Sequence, residues 1–433
     1  MELNENKQFS LLSYEITKNL PIHILKNNGI YFTPQDIVKL CLQKIKILET
    51  SHNILINDIL EPCCGSCEFV LSLDDYFKDK NIYAIENNLE IYNKIKDVKI
   101  KNNQLYLNHL DFFKMNDYNT NNTNNTNNTN KLIKKYDLII GNPPYYVLNK
   151  NKVDEKYYKY FDGRPNIFVL FLIDSLKKLN PNGLLCFVLP NNFMNCIYYD
   201  NARKYIINNY SIVDLKFIKH SKFLNTKQDV FILTIHNQKP NKSKNQNLFV
   251  LNVNSYIIFN EPEKIIKLNK ILQDSTNLNK LNFKINVGNV IWNENKSILT
   301  EDESKTLLIY SGNIENNELV IKKFKNEVKK NYINKEGIND MCILINRGYG
   351  VGNYKLNYTL IDLKEKKYLI ENHLLIIKYA GFNKTNEELR ILYNKILDSL
   401  NNEKTSQFME LYFENNALNS NELLNILPIF IEN

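Results

Sequence analysis

No run of residues in this chain approaches the roughly 20 consecutive apolar residues that a membrane-spanning helix needs. The opening stretch, MELNENKQFSLLSYEITKNL, is polar and lacks the apolar core of a secretory signal. A soluble, intracellular protein with no membrane partner is therefore expected. Charge blocks are missing too. The formal charge is +8, yet residues 1–240 hold 30 Lys/Arg against 24 Asp/Glu and residues 241–433 hold 25 against 23. So mild an excess suits a nucleic-acid partner, but a binding surface would have to be assembled by folding rather than carried on a basic tail. Finger-like metal spacing is also lacking. The seven cysteines are an odd number, with Cys63, Cys64 and Cys67 crowded into CCGSC, and the other cysteines and six histidines supply no second half of a zinc site. The expectation is a reduced chain without metal. There is no internal repeat.

What the chain does have is alternation. Short apolar runs end on a polar residue: ILINDILEP (54–62), NIYAIEN (81–87), LYLNHLDFF (105–113), YDLIIGN (136–142) and GLLCFVLP (183–190). Helical patterns separate several of them, notably IFVLFLIDSLKKL (167–179). This order predicts an α/β fold with a mostly parallel sheet, which binds its ligands at the carboxyl ends of the strands. In GIYFTPQDIVKLCLQKIKIL (29–48), Thr33 and Pro34 read as the N-cap and first residue of a helix. The repeat NTNNTNNTNNTN (119–130) has no apolar content and reads as a disordered surface insertion. The polar run HNQKPNKSKNQN (236–247) is the expected domain boundary. It divides a first domain, 1–240, from a mixed α/β second domain, 241–433, with helix returning near 385–400.

The polar strand ends carry the candidate chemistry. In ILEPCCGSCEFV (59–70) a turn containing Gly65 and Ser66 allows backbone to approach a ligand at a helix N-terminus. Glu86, about 20 residues beyond it, has the placing of an acid that accepts from both ribose hydroxyls of a nucleoside cofactor. Asp111, followed by Phe112 and Phe113, can accept from an adenine amine while an apolar neighbour packs on the ring. Taken singly, Glu86 reads as a solvated helix-capping acid and Asp111 as an N-cap. In series with GNPPYY (141–146) they read as a site. The Asn142 amide oxygen and the Pro143 carbonyl are convergent acceptors, and consecutive prolines hold that backbone extended. Two such acceptors can grip both hydrogens of a planar NH2 and draw its lone pair out of conjugation, ready to attack a methyl group. Tyr145 offers a flat face for a base.

These elements, in this order, resemble the gamma class of S-adenosyl-methionine-dependent N6-adenine DNA methyltransferases. The resemblance covers about residues 25–240 by motif and the remainder by position and size. It implies a Rossmann-like methyltransferase domain followed by a target-recognition domain. Thr33, Glu61, Pro62, Cys63 and Gly65 would then line the methionine end of the cofactor pocket. Glu86 would hold the ribose, and Asp111 and Phe112 the adenine. Asn142 and Pro143 would accept the target amine, with Pro144 and Tyr145 packing near cofactor and base. Phe223, in SKFLNTKQDVFILTI (221–235), would stack on the other face of the flipped base, and equally reads as an ordinary strand-flanking phenylalanine. The turn departs from the family at Cys67, which stands where a second glycine is usual.

In the second domain, KKFKNEVKK (322–330) reads as a phosphate-binding cluster or a charged helix face. INRGYGVGNYKLNY (345–358) brings Arg347, Tyr349 and Lys355 to a glycine-rich loop suited to a DNA groove. A monomer acting on double-stranded DNA is expected, with room for a separate cognate restriction endonuclease as partner. The stretch ahead of Thr33 is too short for a nuclease domain of its own. The same motif serves enzymes that methylate RNA bases or protein glutamines, and an inactive DNA-binding relative is the other alternative.

Overall fold

A computed structural model describes residues 8–115, 135–224, 226–239, 248–347, 356–364, 366–412 and 419–431. The Asn/Thr repeat lies outside the described residues. The chain forms two units, one of residues 1–252 with 256–265 and one of 253–255 with 266–433.

The first unit is built on a seven-stranded sheet in the order β3-β2-β1-β4-β5-β7-β6. Its strands are β1 (Asp58–Glu61), β2 (Asn81–Glu86), β3 (Gln104–His109), β4 (Tyr136–Gly141), β5 (Leu179–Pro190), β6 (Ser211–Phe223) and β7 (Thr226–His236). The pairs among β1 to β5 are parallel, while β7 runs antiparallel to both β5 and β6. β2 is buried from Ile82 through Glu86, the unbroken apolar run of a strand covered on both faces. Strand order reverses between β1 and β4, which opens a crevice at their carboxyl ends. At the opposite ends Asp137 ties three strands together. One of its oxygens accepts from the Asn57 and Asp58 backbone N–H groups at 3.0 Å, and the other from Asn180 Nδ2 at 2.7 Å.

Helices cover the sheet: α1 (Leu11–Asn19), α2 (Ile22–Asn27), α3 (Gln35–Ser51), α4 (Glu68–Tyr76), α5 (Leu89–Ile95), α6 (Ile167–Lys177) and α7 (Asp200–Asn209). In α3 the apolar residues recur at helical spacing, and Ile37, Val38, Cys41, Leu42, Ile45 and Leu48 are buried. Its start corrects the sequence reading. Pro34, with φ −57° and ψ 142°, holds the N-cap position without a side-chain cap, and Thr33 is buried one residue earlier. α6 is apolar nearly all round because it is buried on most sides, from Ile167 through Ile173 and again at Leu176. Each such side chain contributes about 1.5–3 kcal/mol on burial.

The second unit contains two four-stranded sheets. One orders residues 283–287, 374–379, 342–346 and 358–361, all antiparallel, and the other orders 299–300, 332–333, 306–309 and 368–370. Helices Asn386–Leu400, Glu403–Tyr412 and Ser420–Asn425 follow. Among the described residues no helix is long and apolar enough to cross a membrane.

Candidate active site

Strand ends that are far apart in sequence meet around one cavity of about 420 Å3 in the first unit. From β1 and the turn after it come Glu61, Pro62, Cys63 and Gly65; from β2, Glu86; from beyond β3, Asp111 and Phe112; and from beyond β4, Asn142 and Pro144. Thr33 reaches the same cavity from the segment before α3. The parallel order accounts for this, since β3, β2, β1 and β4 are neighbours pointing the same way. Phe112 lies flat against Phe171 of α6, with ring centres 5.0 Å apart and planes 9° apart, so this side of the cavity is an apolar wall.

The Asn142 side chain is held at both ends. Its Nδ2 donates to the Tyr31 carbonyl at 3.1 Å, which identifies the amide nitrogen, and its Oδ1 accepts from the Tyr145 hydroxyl. The Cys63 thiol donates to the Asn142 carbonyl at 3.5 Å. Pro143, the next residue, is buried. Tyr145 itself is turned inward. Its hydroxyl also lies 2.8 Å from the Val188 carbonyl of β5, and its ring meets Phe168 edge-on at 6.0 Å. It is the next residue, Tyr146, that lines the cavity. Phe223, at the end of β6, is 4% exposed and packs edge-on against Tyr31, which also lines the cavity.

Electrostatics single out the two glutamates. Glu61 is buried, and among the described residues its Oε2 has no hydrogen-bond partner. Burial, reinforced by Cys67 and Glu86, pushes its carboxyl well above the usual carboxylate range. Glu86 accepts from Gly65 N at 3.0 Å with one oxygen and from Asn88 N at 2.6 Å with the other. Burial raises its carboxyl too, against those backbone bonds. Asp111 accepts from Phe113 N at 3.0 Å and so caps a short 3-10 turn while it lines the cavity. Cys67 is the N-cap of α4, with φ +63°, the left-handed region where glycine costs least.

A second network braces the turn after β1. Glu68 Oε1 accepts from the Ser10 backbone N–H at 2.8 Å and from the Ser13 hydroxyl, which in turn lies 2.6 Å from the Ser66 hydroxyl. Helix α1 is thereby pinned to the cavity wall that Ser66 and Glu68 form. Sequence reasoning missed this, along with Tyr31 and Tyr146. The only signals present were the polar residues flanking Gly65 and a second tyrosine after the prolines.

In the second unit Arg347 is half-buried just beyond strand Cys342–Asn346. Tyr349 and Lys355 lie outside the described residues. The basic segment 322–330 contains no helix. Lys322 pairs with Glu315, Lys330 pairs with Glu301 at 2.6 Å, and Lys329 lies over Tyr310, Phe324 and Trp292 at 4.0, 4.6 and 5.6 Å.

Residues 35–224 match the Eco57I restriction-modification methylase family. Type II methyltransferase M.CvrRI of Paramecium bursaria Chlorella virus XZ-6E is 26% identical over 98% of this chain and 100% of its own length. Modification methylase CviBIII of Paramecium bursaria Chlorella virus NC1A is 23% identical over 98% and 99%. In fold, the chain resembles the protein of a DrdV–DNA complex, with a TM-score of 0.53 and 11% identity over 96% of this chain and 57% of that one.

Proposed function

We propose that this chain, which carries a restriction-modification methylase domain and takes S-adenosyl-methionine as its methyl donor, methylates the N6 amine of an adenine flipped out of duplex DNA. The observation that carries the reading is the Asn142 amide, whose oxygen is oriented by the Tyr31 carbonyl at the edge of a cavity lined by Glu61, Glu86 and Asp111.

The residues present fit the cofactor. Glu61 brings a buried carboxylate oxygen without a partner, suited to an ammonium group. Glu86 sits beside the glycine turn, where ribose hydroxyls find acceptors, and Asp111 with Phe112 offers an acceptor and a flat apolar wall for a purine. Thr33, Pro62, Cys63 and Gly65 complete the methionine end. Bound there, the cofactor supplies an electrophilic sulfonium methyl group.

The chain's own part is positioning. Asn142 Oδ1 and the Pro143 carbonyl accept the two hydrogens of the target amine, so that its nitrogen lone pair is directed outward rather than into the ring. Pro144 and the cavity aromatics keep water away. Tyr146 and Tyr31 line the cavity where the base would enter, with Tyr145 packed behind Asn142 and Phe223 packed behind Tyr31. In the second unit Arg347, with Tyr349 and Lys355, is the proposed groove contact, and a protein that acts on DNA works wherever the cell or virus keeps its DNA.

Methyl transfer to mixed duplex DNA, analysed as nucleosides by mass spectrometry, tests this. Wild-type protein should yield N6-methyladenine and Asn142→Ala protein none. Cofactor binding with no DNA product, but with methyl groups in RNA or in a glutamine peptide, would replace the adenine-DNA reading.

A further inference from the structure

The Tyr145 hydroxyl has one proton and two acceptors, the Asn142 amide oxygen and the Val188 carbonyl. A third group decides which end of the Asn142 amide faces that hydroxyl. Because Asn142 Nδ2 donates to the Tyr31 carbonyl, a flipped amide would set oxygen against oxygen there. The amide oxygen must therefore face Tyr145, and in the resting site the phenol donates to it there.

We propose that the Tyr145 hydroxyl is a positioning group for Asn142, a rotor that keeps the amide oxygen satisfied in the empty site and turns to the Val188 carbonyl when a substrate amine arrives. The inference rests on the reading that Asn142 Oδ1 accepts the target amine. The turn needs rotation about the phenol C–O bond together with a small withdrawal of the Asn142 amide oxygen toward the amine, which separates the two oxygens once no proton lies between them. The ring stays seated against Phe168, and the Tyr145 backbone is blocked by Gly29, where a β-carbon would lie 2.7 Å from the Tyr145 nitrogen. An amine donating to Oδ1 competes with the phenol for the electron density of one oxygen. Withdrawing the phenol proton restores that oxygen's full acceptor strength when the amine nitrogen must become pyramidal. No proton is transferred and no bond is made or broken: one O–H exchanges one acceptor for another. A ring that acted by stacking alone would have no use for the hydroxyl.

Tyr145→Phe keeps the ring and deletes the rotor. Single-turnover methylation of duplex DNA should slow about ten-fold or more, while apparent affinities for cofactor and DNA stay within about two-fold. The rise in fluorescence of 2-aminopurine at the target position should be unchanged. In thermal unfolding, Tyr145→Phe and Asn142→Ala should be non-additive, the double variant losing little beyond Asn142→Ala. A Tyr145→Phe protein with the wild-type single-turnover rate, or fully additive unfolding shifts, overturns the proposal. A wild-type protein that transfers no methyl group to DNA instead overturns the proposed function, and the unfolding coupling then decides by itself whether the hydroxyl holds Asn142.

Discussion

Gly29 stands so close to Tyr145 that a β-carbon on it would lie 2.7 Å from the Tyr145 backbone nitrogen and 2.9 Å from its carbonyl oxygen. With φ +58°, Gly29 also occupies the left-handed region. The segment before α3 and the Asn-Pro-Pro-Tyr loop are therefore packed backbone to backbone, and the Tyr31 contact to Asn142 depends on that approach. Gly29→Ala should lower stability by about 1–3 kcal/mol through φ strain and overpacking, and should reduce methyl transfer by more than the loss of folded protein explains. Thermal unfolding and methyl-transfer assays on the same preparation measure both.

Glu61 should make the protein less stable in exchange for a site. Its folded carboxyl is raised, so its contribution to stability is fully present below the ordinary carboxylate range and is lost as pH rises through the raised value. Glu61→Gln should therefore unfold at a higher temperature than wild type at about pH 8, by an amount worth roughly 1–3 kcal/mol, with the gap closing as pH falls. The same variant should bind S-adenosyl-methionine more weakly, as titration calorimetry will show.

Arg203 in α7 is fully buried and donates to the carbonyls of Phe193 at 2.8 Å and Cys196 at 2.9 Å, as well as to that of Ile257. Its planar fork closes the loop after β5 onto the strand Tyr256–Phe259. A lysine has one nitrogen where these three carbonyls are served by two, Nε and Nη1. Arg203→Lys should cost about 3 kcal/mol in denaturant unfolding despite keeping the charge.

The lysines of 322–330 should divide into two kinds. Lys323 and Lys325 are exposed, and replacing either with alanine should weaken DNA binding evenly across sequences and reduce the salt slope by about 0.9 for each phosphate that is no longer neutralised. Lys329 is enclosed by three aromatic rings, and burial lowers the proton affinity of its ammonium. Lys329→Ala should leave the salt slope unchanged and lower stability by about 1–2 kcal/mol. Filter binding across a salt series separates them.

The alternation of strand and helix, and with it the mostly parallel sheet, is written locally in the chain. A buried strand must be apolar and a covering helix must be apolar at its own period, and both are local properties of the chain. The sequence also sets where polar residues end the strands. Glu61, Glu86, Asp111 and Asn142 each close an apolar run or follow it within two residues, and a parallel sheet brings such ends to one side. Tertiary structure alone decided how those groups are held. Asn142 is oriented by a carbonyl 111 positions away, and Ser13 reaches Ser66 across 53. Such contacts follow from the angle at which one segment crosses another, and no local period encodes that angle. The same holds for the tyrosines after the prolines. Adjacent in sequence and alike in chemistry, Tyr145 turns in to Asn142 while Tyr146 lines the cavity, because the Val188 carbonyl of β5 and the Phe168 ring of α6 receive the first of them.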